Sequence, residues 1–321
     1  MTVNIADKLI ENTVRTKNPT VVGLDPDWGK IPACYKESAA RFEDAFEAVA
    51  EVIWELNRDI IDTVCPYVPA VKPQAAFYEK YGHFGVRTLE KTIRYAKSRG
   101  LVVIEDAKCN DIGNTARAYA EGHLGEVELP DGSRQTALGA DFLTVTPFLG
   151  SESLSPFFEV CERYGKGVFI LVKTSNASSG ELQDIVTPSG LTVSQSLAVY
   201  VAAQAERSVG KYGYSPIGAV VGATYPEEAG RLRELMPKSL LLVPGYGAQG
   251  GSAEDILPCF CPDGLGAVVN SSRGILYTHM TDAERETCTR EAYLNSVHRA
   301  TLTMRDELYA VLKENCTKMI Y

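Results

Sequence analysis

The amino-acid sequence predicts an α/β protein, a single closed (β/α)8 barrel of the TIM type. Eight short runs rich in apolar residues alternate with amphipathic helical stretches along the chain. Most of these runs are almost continuously apolar, as is typical of parallel strands covered on both faces. Eight strand–helix units without a linker favour a barrel over a doubly wound sheet, and no Gly-x-Gly-x-x-Gly fingerprint follows the first run.

The predicted strands and helices cover the whole chain, 1–321, as one domain. Between the first two strands, one apolar stripe recurs at helical spacing; its members are Phe42, Phe46, Val49, Ile53, Leu56 and Ile60. We also predict a helix over 1–17 and a helical segment over 281–321. The predicted strands cover 20–25, 68–72, 101–106, 141–146, 167–174, 217–223, 240–244 and 267–271.

Two predicted connections are longer than a barrel requires. The segment 126–139 contains a turn-rich Pro-Asp-Gly-Ser sequence, and 176–192 is rich in Ser, Gly and Pro. The second segment directly follows the fifth strand. Long loops at that end of a barrel often close over a ligand, so we expect 176–192 to do so.

Composition excludes several classes of function. The formal net charge of −9 argues against nucleic acid as a partner, since phosphate neutralisation needs a basic face. No run approaches the roughly 18 apolar residues that span a bilayer, and 1–17 lacks an apolar signal core. Eight irregularly spaced cysteines and four scattered histidines give no metal-ligand pattern. We therefore expect a cytoplasmic protein without a metal or a cofactor.

Charged residues at the ends of strands indicate an active site. If the third strand is regular, Asp106 and Lys108 share one face with the apolar residues before them, and Asp111 follows just beyond. Lys72 ends the second strand and Asp25 the first. One such residue is more often a solvated boundary residue than a catalyst. Several of them converging on the carboxyl ends of neighbouring strands favour a catalytic centre.

The last two strands are followed by a pattern typical of phosphate binding. The segment from Pro244 to Gly251 contains four glycines, which allow backbone N–H groups to approach an anion, and Gln249 adds a side-chain donor. Arg273 follows the eighth strand with a guanidinium suited to bidentate phosphate binding. Loops after strands seven and eight form the usual phosphate site of this fold.

Three further residues have weaker assignments from sequence alone. Ser175 follows the fifth strand, where it would either contact the edge of a polar ring or only stabilise a turn. Cys109 lies among the charged residues, but no histidine is near it in sequence, and we interpret it as a bystander. Lys173 has the opposite parity within its strand and receives no role.

These motifs together resemble the orotidine 5′-phosphate decarboxylase family. Its Asp-x-Lys-x-x-Asp signature corresponds to Asp106, Lys108 and Asp111, and its Pro-Gly-x-Gly-x-Gln-Gly loop to 244–250. Arg273 matches the family arginine. The resemblance covers about 21–277, and the chain length and the segment 126–139 resemble the longer bacterial and apicomplexan branch. Cys109-Asn110 and Ala177 depart from Arg-Gly and Pro in that branch, which affects loop details only.

The resemblance implies a specific reaction and a role for each residue. The family decarboxylates orotidine 5′-phosphate (OMP) to UMP in pyrimidine biosynthesis without a cofactor or metal. Lys108 would protonate C6, beside Asp106, and Lys72 would hold the charge array together. A homodimer with shared active sites is implied, with Asp111 and Thr115 reaching the neighbouring site. The implied substrate-binding residues are Asp25, Thr115, Ser175, Pro244, Gln249 and Arg273.

Alternatives remain open at this point. A metal-dependent sugar-phosphate decarboxylase of the same superfamily shares the Asp-x-Lys-x-x-Asp pattern, but it would need another acidic ligand near the end of the second strand. That strand instead ends in Lys72-Pro73-Gln74. A Schiff-base aldolase using Lys72 or Lys108 is a second alternative. A phosphate-ligand-binding barrel without catalysis is the third.

Overall fold

The computed structural model describes residues 4–247, 251–277 and 280–321, and these form a closed barrel of eight parallel strands. All eight predicted strands are confirmed, and the third runs to Cys109, beyond its predicted end at 106. In barrel order the strands are β1 (Thr20–Leu24), β2 (Ala70–Pro73), β3 (Val102–Cys109), β6 (Phe142–Val145), β7 (Gly167–Lys173), β8 (Ser215–Val221), β9 (Ser239–Val243) and β10 (Ala267–Ser271).

Helices surround the strands. They are α1 (Ile5–Thr16), α2 (Ala33–Lys36), α3 (Ala45–Val64), α4 (Ala76–Glu79), α5 (Gly82–Ser98), α6 (Gly113–His123), α7 (Ser151–Tyr164), α8 (Gly180–Gln183), α9 (Val193–Ala205), α10 (Pro226–Leu235), α11 (Ala253–Ile256), α12 (Arg273–Leu276), α13 (Asp282–Thr287) and α14 (Arg290–Asn315). Within the described ranges, no helix is both long and apolar enough to cross a membrane.

The predicted apolar stripe of α3 is wrong at its beginning. The Asp44 side chain accepts hydrogen bonds from the backbone N–H groups of Phe46 and Glu47, so the helix begins after Asp44 and excludes Phe42. The Phe46 side chain is 56% exposed. The N-cap therefore determines where the helix starts, and apolar spacing before it carries no information. The later members of the stripe, from Ile53 onward, are buried.

The barrel interior is filled at its amino-terminal end and through its middle. Side chains of α1, among them Leu9, pack in one cluster with inward-facing residues such as Val102 and Ile104. Phe142 and Phe169 stack there with ring centroids 4.8 Å apart. Because the interior is occupied below, a ligand site is left at the carboxyl ends of the strands.

Two peripheral segments differ from their predictions. The insertion 126–139 contains a short antiparallel hairpin of β4 (Val127–Glu128) and β5 (Arg134–Gln135), which the turn-rich sequence did not predict. The predicted helical segment 281–321 is two helices, α13 and α14, separated at Cys288 and Thr289. Thr289 caps α14 by accepting from the N–H of Ala292, which restarts the helix at that point.

Candidate active site

Asp106 lies between two lysines at the carboxyl end of β3. Its Oδ2 accepts a hydrogen bond from Lys72 Nζ at 2.7 Å, and its Oδ1 accepts one from Lys108 Nζ at 2.6 Å. The Lys72 and Asp106 side chains are 6% and 12% exposed, whereas that of Lys108 is 44% exposed. The predicted convergence of these groups therefore occurs, and only one of the two ammoniums is accessible to a ligand.

Electrostatics keep this array charged. Burial alone would raise the pKa of Asp106, but the ammoniums of Lys72 and Lys108 hold that pKa well below its usual range. Burial opposes the charged form of Lys72, yet the carboxylates of Asp106 and then Asp25 raise its pKa above the ordinary value. Asp106 is thus ionised and Lys72 protonated at neutral pH, which is the alternating arrangement that the strand ends predicted.

Asp25 directly follows β1, beside this array. Its charge acts on Lys72, and its Oδ1 is buried without a hydrogen-bond partner among the described residues. Its backbone carbonyl accepts a hydrogen bond from Tyr277 Oη at 3.1 Å. An orphaned carboxylate oxygen facing a polar site is suited to accept a hydrogen bond from a ligand hydroxyl.

Sequence reasoning missed two residues that hold Asp106. Thr144 Oγ1, on β6, donates to Asp106 Oδ1 at 2.9 Å and accepts from the Lys108 N–H at 3.0 Å. With its amide nitrogen turned toward the carboxylate, Gln74 donates to Asp106 Oδ2 at 2.9 Å. A threonine inside an apolar strand and a Gln after a strand end are weak signals, and only the closed barrel brings them to Asp106.

The assumption that β3 is regular is wrong. The pairing of β3 with β6 shifts between Glu105 and Cys109, and Lys108 has φ +54°, in the left-handed region. Strict alternation therefore does not place the Lys108 side chain. Its ammonium still contacts Asp106 Oδ1, at 2.6 Å, from this irregular backbone conformation.

The phosphate motif lies after β9 and β10, as predicted. Gly245 and Gly247 have φ values of 103° and 68°, which a residue with a Cβ rarely adopts. The Gly247 N–H donates to the Gly251 carbonyl at 2.9 Å, and the Pro244 carbonyl accepts from Ala223 N–H at 2.9 Å. Gln249 lies outside the described residues.

Arg273 begins α12 just beyond the end of β10, and its side chain is exposed. The strands β9 and β10 are neighbours in the barrel. The glycine loop follows β9, and Arg273 follows β10. The two halves of the predicted phosphate motif therefore lie at the same end of neighbouring strands.

Ser175 lies at the end of β7, where the chain approaches β8 closely. A Cβ at Gly222 would lie 2.8 Å from Ser175 Cα, so the close approach requires glycine. Lys173, without a role in the sequence prediction, is buried, with its Nζ 2.5 Å from Asp184 Oδ1 and 4.8 Å from the centre of the Tyr225 ring. It thus ties the segment 176–192 to the barrel.

Among the described residues, Asp111 and Thr115 lie outside the hydrogen-bond network of the charged array. Asp111 lies beyond β3 and accepts from the Ile112 N–H, and Thr115 is exposed on α6. None of the hydrogen bonds found among the described residues joins either of them to Lys72, Asp106 or Lys108.

Cys109 has a histidine partner that sequence proximity did not reveal. Its Sγ lies 3.6 Å from His123 Nε2, and His123 Nδ1 lies 2.8 Å from Glu105 Oε1. Glu105 and Cys109 alternate with Asp106 and Lys108 along β3. Cys109 packs in the cluster between strands and helices, behind the catalytic side of the strand.

Fold and site together define a class: a (β/α)8 barrel with a charged centre at the carboxyl ends of β1 to β3 and a glycine loop and arginine after its last two strands. A family model described as orotidine 5′-phosphate decarboxylase / HUMPS family matches residues 21–285. The chain belongs to this family.

Individual relatives match over nearly their whole length. The chain is 44% identical over 306 residues to the orotidine 5′-phosphate decarboxylase of Rhodopirellula baltica, covering 95% of this chain and 99% of the relative. It is 41% identical to that of Caldicellulosiruptor saccharolyticus, covering 86% and 90%. The structure of Leishmania donovani OMP decarboxylase is similar with a TM-score of 0.69 at 29% identity, covering 97% of this chain and 100% of that one.

Proposed function

We propose that this chain is a carboxy-lyase that converts OMP to UMP and CO2 without a metal or a cofactor. The observation that carries the proposal is the array in which Asp106 accepts from Lys72 on one oxygen and from Lys108 on the other. Family membership supplies the reaction, and the array supplies the groups that the reaction needs.

The chemistry demands a fixed cation at one carbon. When the bond between C6 and the carboxylate breaks, the electron pair stays on C6 and CO2 leaves. No adjacent carbonyl delocalises this charge, so an ammonium at C6 must stabilise it as it forms. Lys108 is the partly exposed ammonium, and it transfers one proton to C6 to give UMP. The neutral amine then regains a proton from water.

Asp106 and Lys72 prepare Lys108 for this step. An ionised Asp106 holds the Lys108 ammonium by a charge-assisted hydrogen bond. Lys72, which is buried, keeps Asp106 ionised by compensating its charge on the other oxygen. Asp25 is suited to accept from a ribose hydroxyl with its unpaired, buried Oδ1.

The remote end of the substrate is held by the phosphate motif. Gly245 and Gly247 give the loop its turns in left-handed conformations, and Pro244 fixes the start of the loop. Arg273 and Gln249 add side-chain donors. Binding energy gained at the phosphate is available for closing 176–192, which directly follows Ser175, over the pyrimidine.

We propose in addition that the active enzyme is a homodimer with shared sites. No hydrogen bond among the described residues joins Asp111 or Thr115 to the array, and apolar side chains are exposed at α6 and just after β6, the strand paired with β3. These are Ile112 at 45%, Tyr119 at 41%, Phe148 at 73% and Leu149 at 44% exposure. Apolar surface of this kind is typical of a protein interface, and burying it would carry Asp111 toward a neighbouring array.

The acidic net charge of −9 supports a small-molecule substrate rather than nucleic acid. We also propose a cytoplasmic location, because all eight cysteines are free thiols, as is usual in a reducing compartment. Subcellular fractionation with a tag on the C-terminus tests this location.

The deciding experiment follows the absorbance change of OMP with the wild-type chain and with Lys108→Ala. We expect turnover by the wild type and a loss of about 1,000-fold or more in the variant, since both charge stabilisation and proton transfer are removed. Lys91→Ala is the matched control, because Lys91 pairs with Glu51 between α3 and α5, outside the site. A folded, dimeric wild type without activity on OMP contradicts the proposal.

The alternatives predict different outcomes in the same assay. Loss of activity after EDTA treatment would favour the metal-dependent decarboxylase. Borohydride trapping of a carbonyl substrate on Lys72 or Lys108 would favour the aldolase. Binding of OMP without turnover by the wild type would favour a non-catalytic barrel.

A further inference from the structure

The outer side of β3 carries a second group of titratable residues that the proposed reaction does not use. It consists of Glu105 and Cys109 on the strand and His123, the last residue of α6. Glu105 is fully buried, Cys109 is 8% exposed and the His123 side chain is 14% exposed. A carboxylate, an imidazole and a thiol within hydrogen-bond reach directly behind the catalytic face require an explanation.

The geometry of the strand provides one. Glu105 pairs with Leu143 and Cys109 pairs with Val145, so three residues of β3 stand opposite the single residue Thr144 of β6. These three residues form a bulge, and they are Asp106, Ala107 and Lys108. A bulge changes the direction of the side chains within it. The left-handed backbone conformation that Lys108 adopts in this bulge is also energetically unfavourable for a residue with a Cβ.

His123 contacts both ends of the bulge at once. Its Nδ1 lies 2.8 Å from Glu105 Oε1, at the residue before the bulge, and its Nε2 lies 3.6 Å from Cys109 Sγ, at the residue after it. The imidazole therefore spans the irregular segment from the outer side, while Thr144 contacts its backbone and Asp106 from the inner side.

We propose that Glu105, His123 and Cys109 are positioning residues that fix the bulge of β3 and thereby hold the Lys108 ammonium at the reacting carbon. The inference rests on the proposed decarboxylation and deepens it. His123 ends α6, the helix that carries Thr115, so the same contact fixes α6 against the strand. None of the three residues touches the substrate.

Charge strengthens the contact. Burial alone would lower the pKa of His123, but its hydrogen bonds to Cys109 and Glu105 raise that pKa to about 10. Among the described residues, only His123 donates to the buried Glu105 carboxylate, whose Oε2 has no partner. From α5, Glu90 lines the same cavity as His123 and is paired with Arg94 at 2.7 Å. His123 is therefore protonated at neutral pH, and its hydrogen bond to Glu105 is charge-assisted and stronger than one from a neutral imidazole.

The test uses four variants and three measurements. Glu105→Leu/His123→Phe replaces the pair by apolar groups of similar shape, which avoids leaving a single buried charge. His123→Asn keeps a donor for Glu105 and releases Cys109. Glu105→Gln keeps an acceptor for His123 and is the conservative rescue. Glu51→Gln, in the Lys91 pair between α3 and α5, is the matched control.

The measurements are kcat and KM for OMP, the exchange of the C6 hydrogen of UMP in D2O, and amide hydrogen exchange along β3. We expect the double variant to lose about 10-fold or more in kcat and in C6 exchange, since a small misplacement of a catalytic group is costly. KM should change by about two-fold or less because the phosphate motif is untouched. Amide exchange should accelerate over 106–109 alone. His123→Asn should show a smaller loss of the same kind, and Glu105→Gln and Glu51→Gln nearly none.

Two results overturn the inference. One is wild-type kcat and C6 exchange in a folded double variant or, if that variant does not fold, in His123→Asn. The other is unchanged amide exchange over 106–109 in these variants. Amide exchange does not depend on turnover, so it tests the inference even if the enzyme has no activity on OMP. An inactive wild type would contradict the proposed function instead, so the two failures are distinguishable.

Discussion

Lys108 Nζ lies 2.6 Å from Asp106 Oδ1, while Lys72 Nζ lies 2.7 Å from Asp106 Oδ2. The Asp106 carboxylate thus accepts hydrogen bonds from two ammoniums that lie in different environments. Lys72 is buried, whereas the Lys108 side chain is 44% exposed at the mouth of the barrel. The buried lysine maintains the charge of Asp106, and the exposed lysine is directed toward the ligand space. Asp106 is therefore the residue whose removal affects both stability and catalysis.

Asp106→Asn is expected to lower the free energy of unfolding by about 3 kcal/mol, because it leaves the buried Lys72 ammonium without its counter-ion. It should also abolish turnover of OMP by disordering Lys108. Urea denaturation measures the first effect and the absorbance assay the second. Glu206→Gln, in the exposed pair with Lys238, is the control and should leave stability nearly unchanged. Equal stability of Asp106→Asn and wild type would contradict the array as described.

The pH dependence of this effect has a fixed sign. A carboxyl whose pKa is depressed by folding contributes stability above its unfolded pKa, and that contribution is lost as pH falls through the folded value. For Asp106 the loss therefore begins near 3.8, the ordinary pKa of an aspartate, and continues to lower pH. The stability difference between wild type and Asp106→Asn should be constant from about pH 5 to 8 and shrink below about pH 4.

The sequence could predict the barrel because its strands are apolar on both faces, and every predicted strand is present. It could also predict that Lys72, Asp106 and Lys108 meet, because the carboxyl ends of adjacent parallel strands lie at the same face of the barrel. It could not predict the bulge, because register shifts arise from pairing with β6. For the same reason the contacts of Thr144 and His123 with β3 were missed: each depends on an element distant in sequence.

Removal of the Arg273 guanidinium should weaken transition-state binding at the phosphate. We expect Arg273→Ala to lower kcat/KM for OMP by about 10- to 100-fold, the value of one hydrogen bond between charged groups. The same variant should act on orotidine, which lacks the phosphate, as the wild type does. Arg231→Ala, an exposed arginine on α10, is the matched control. An equal loss with both substrates would place Arg273 outside the phosphate site.

The contact between His123 and Glu105 predicts a change of stability at alkaline pH. The pKa of His123 is raised from 6.5 to about 10 by the contacts with Cys109 and Glu105, which outweigh burial. A group raised in this way contributes stability fully below its unfolded pKa and loses it as pH rises through the folded one. The stability of wild type relative to Glu105→Leu/His123→Phe should therefore fall between about pH 6.5 and 10, by at most about 1.4 kcal/mol per pH unit. A pH-independent difference would show that the imidazole is neutral.

Shared active sites predict that two inactive variants can restore each other. Lys108→Ala lacks a group of its own array, and Asp111→Ala lacks the group proposed to act in the neighbouring array. A dimer with one chain of each kind contains one intact site, so equal mixing after dissociation should restore about a quarter of wild-type activity for random pairing in a two-fold dimer. Lys108→Ala mixed with Asp106→Asn is the matched control, because both changes affect the same array and no pairing gives an intact site. Restoration in the first mixture but not in the second would establish that Asp111 acts across the interface, and its absence in both would confine the active site to one chain.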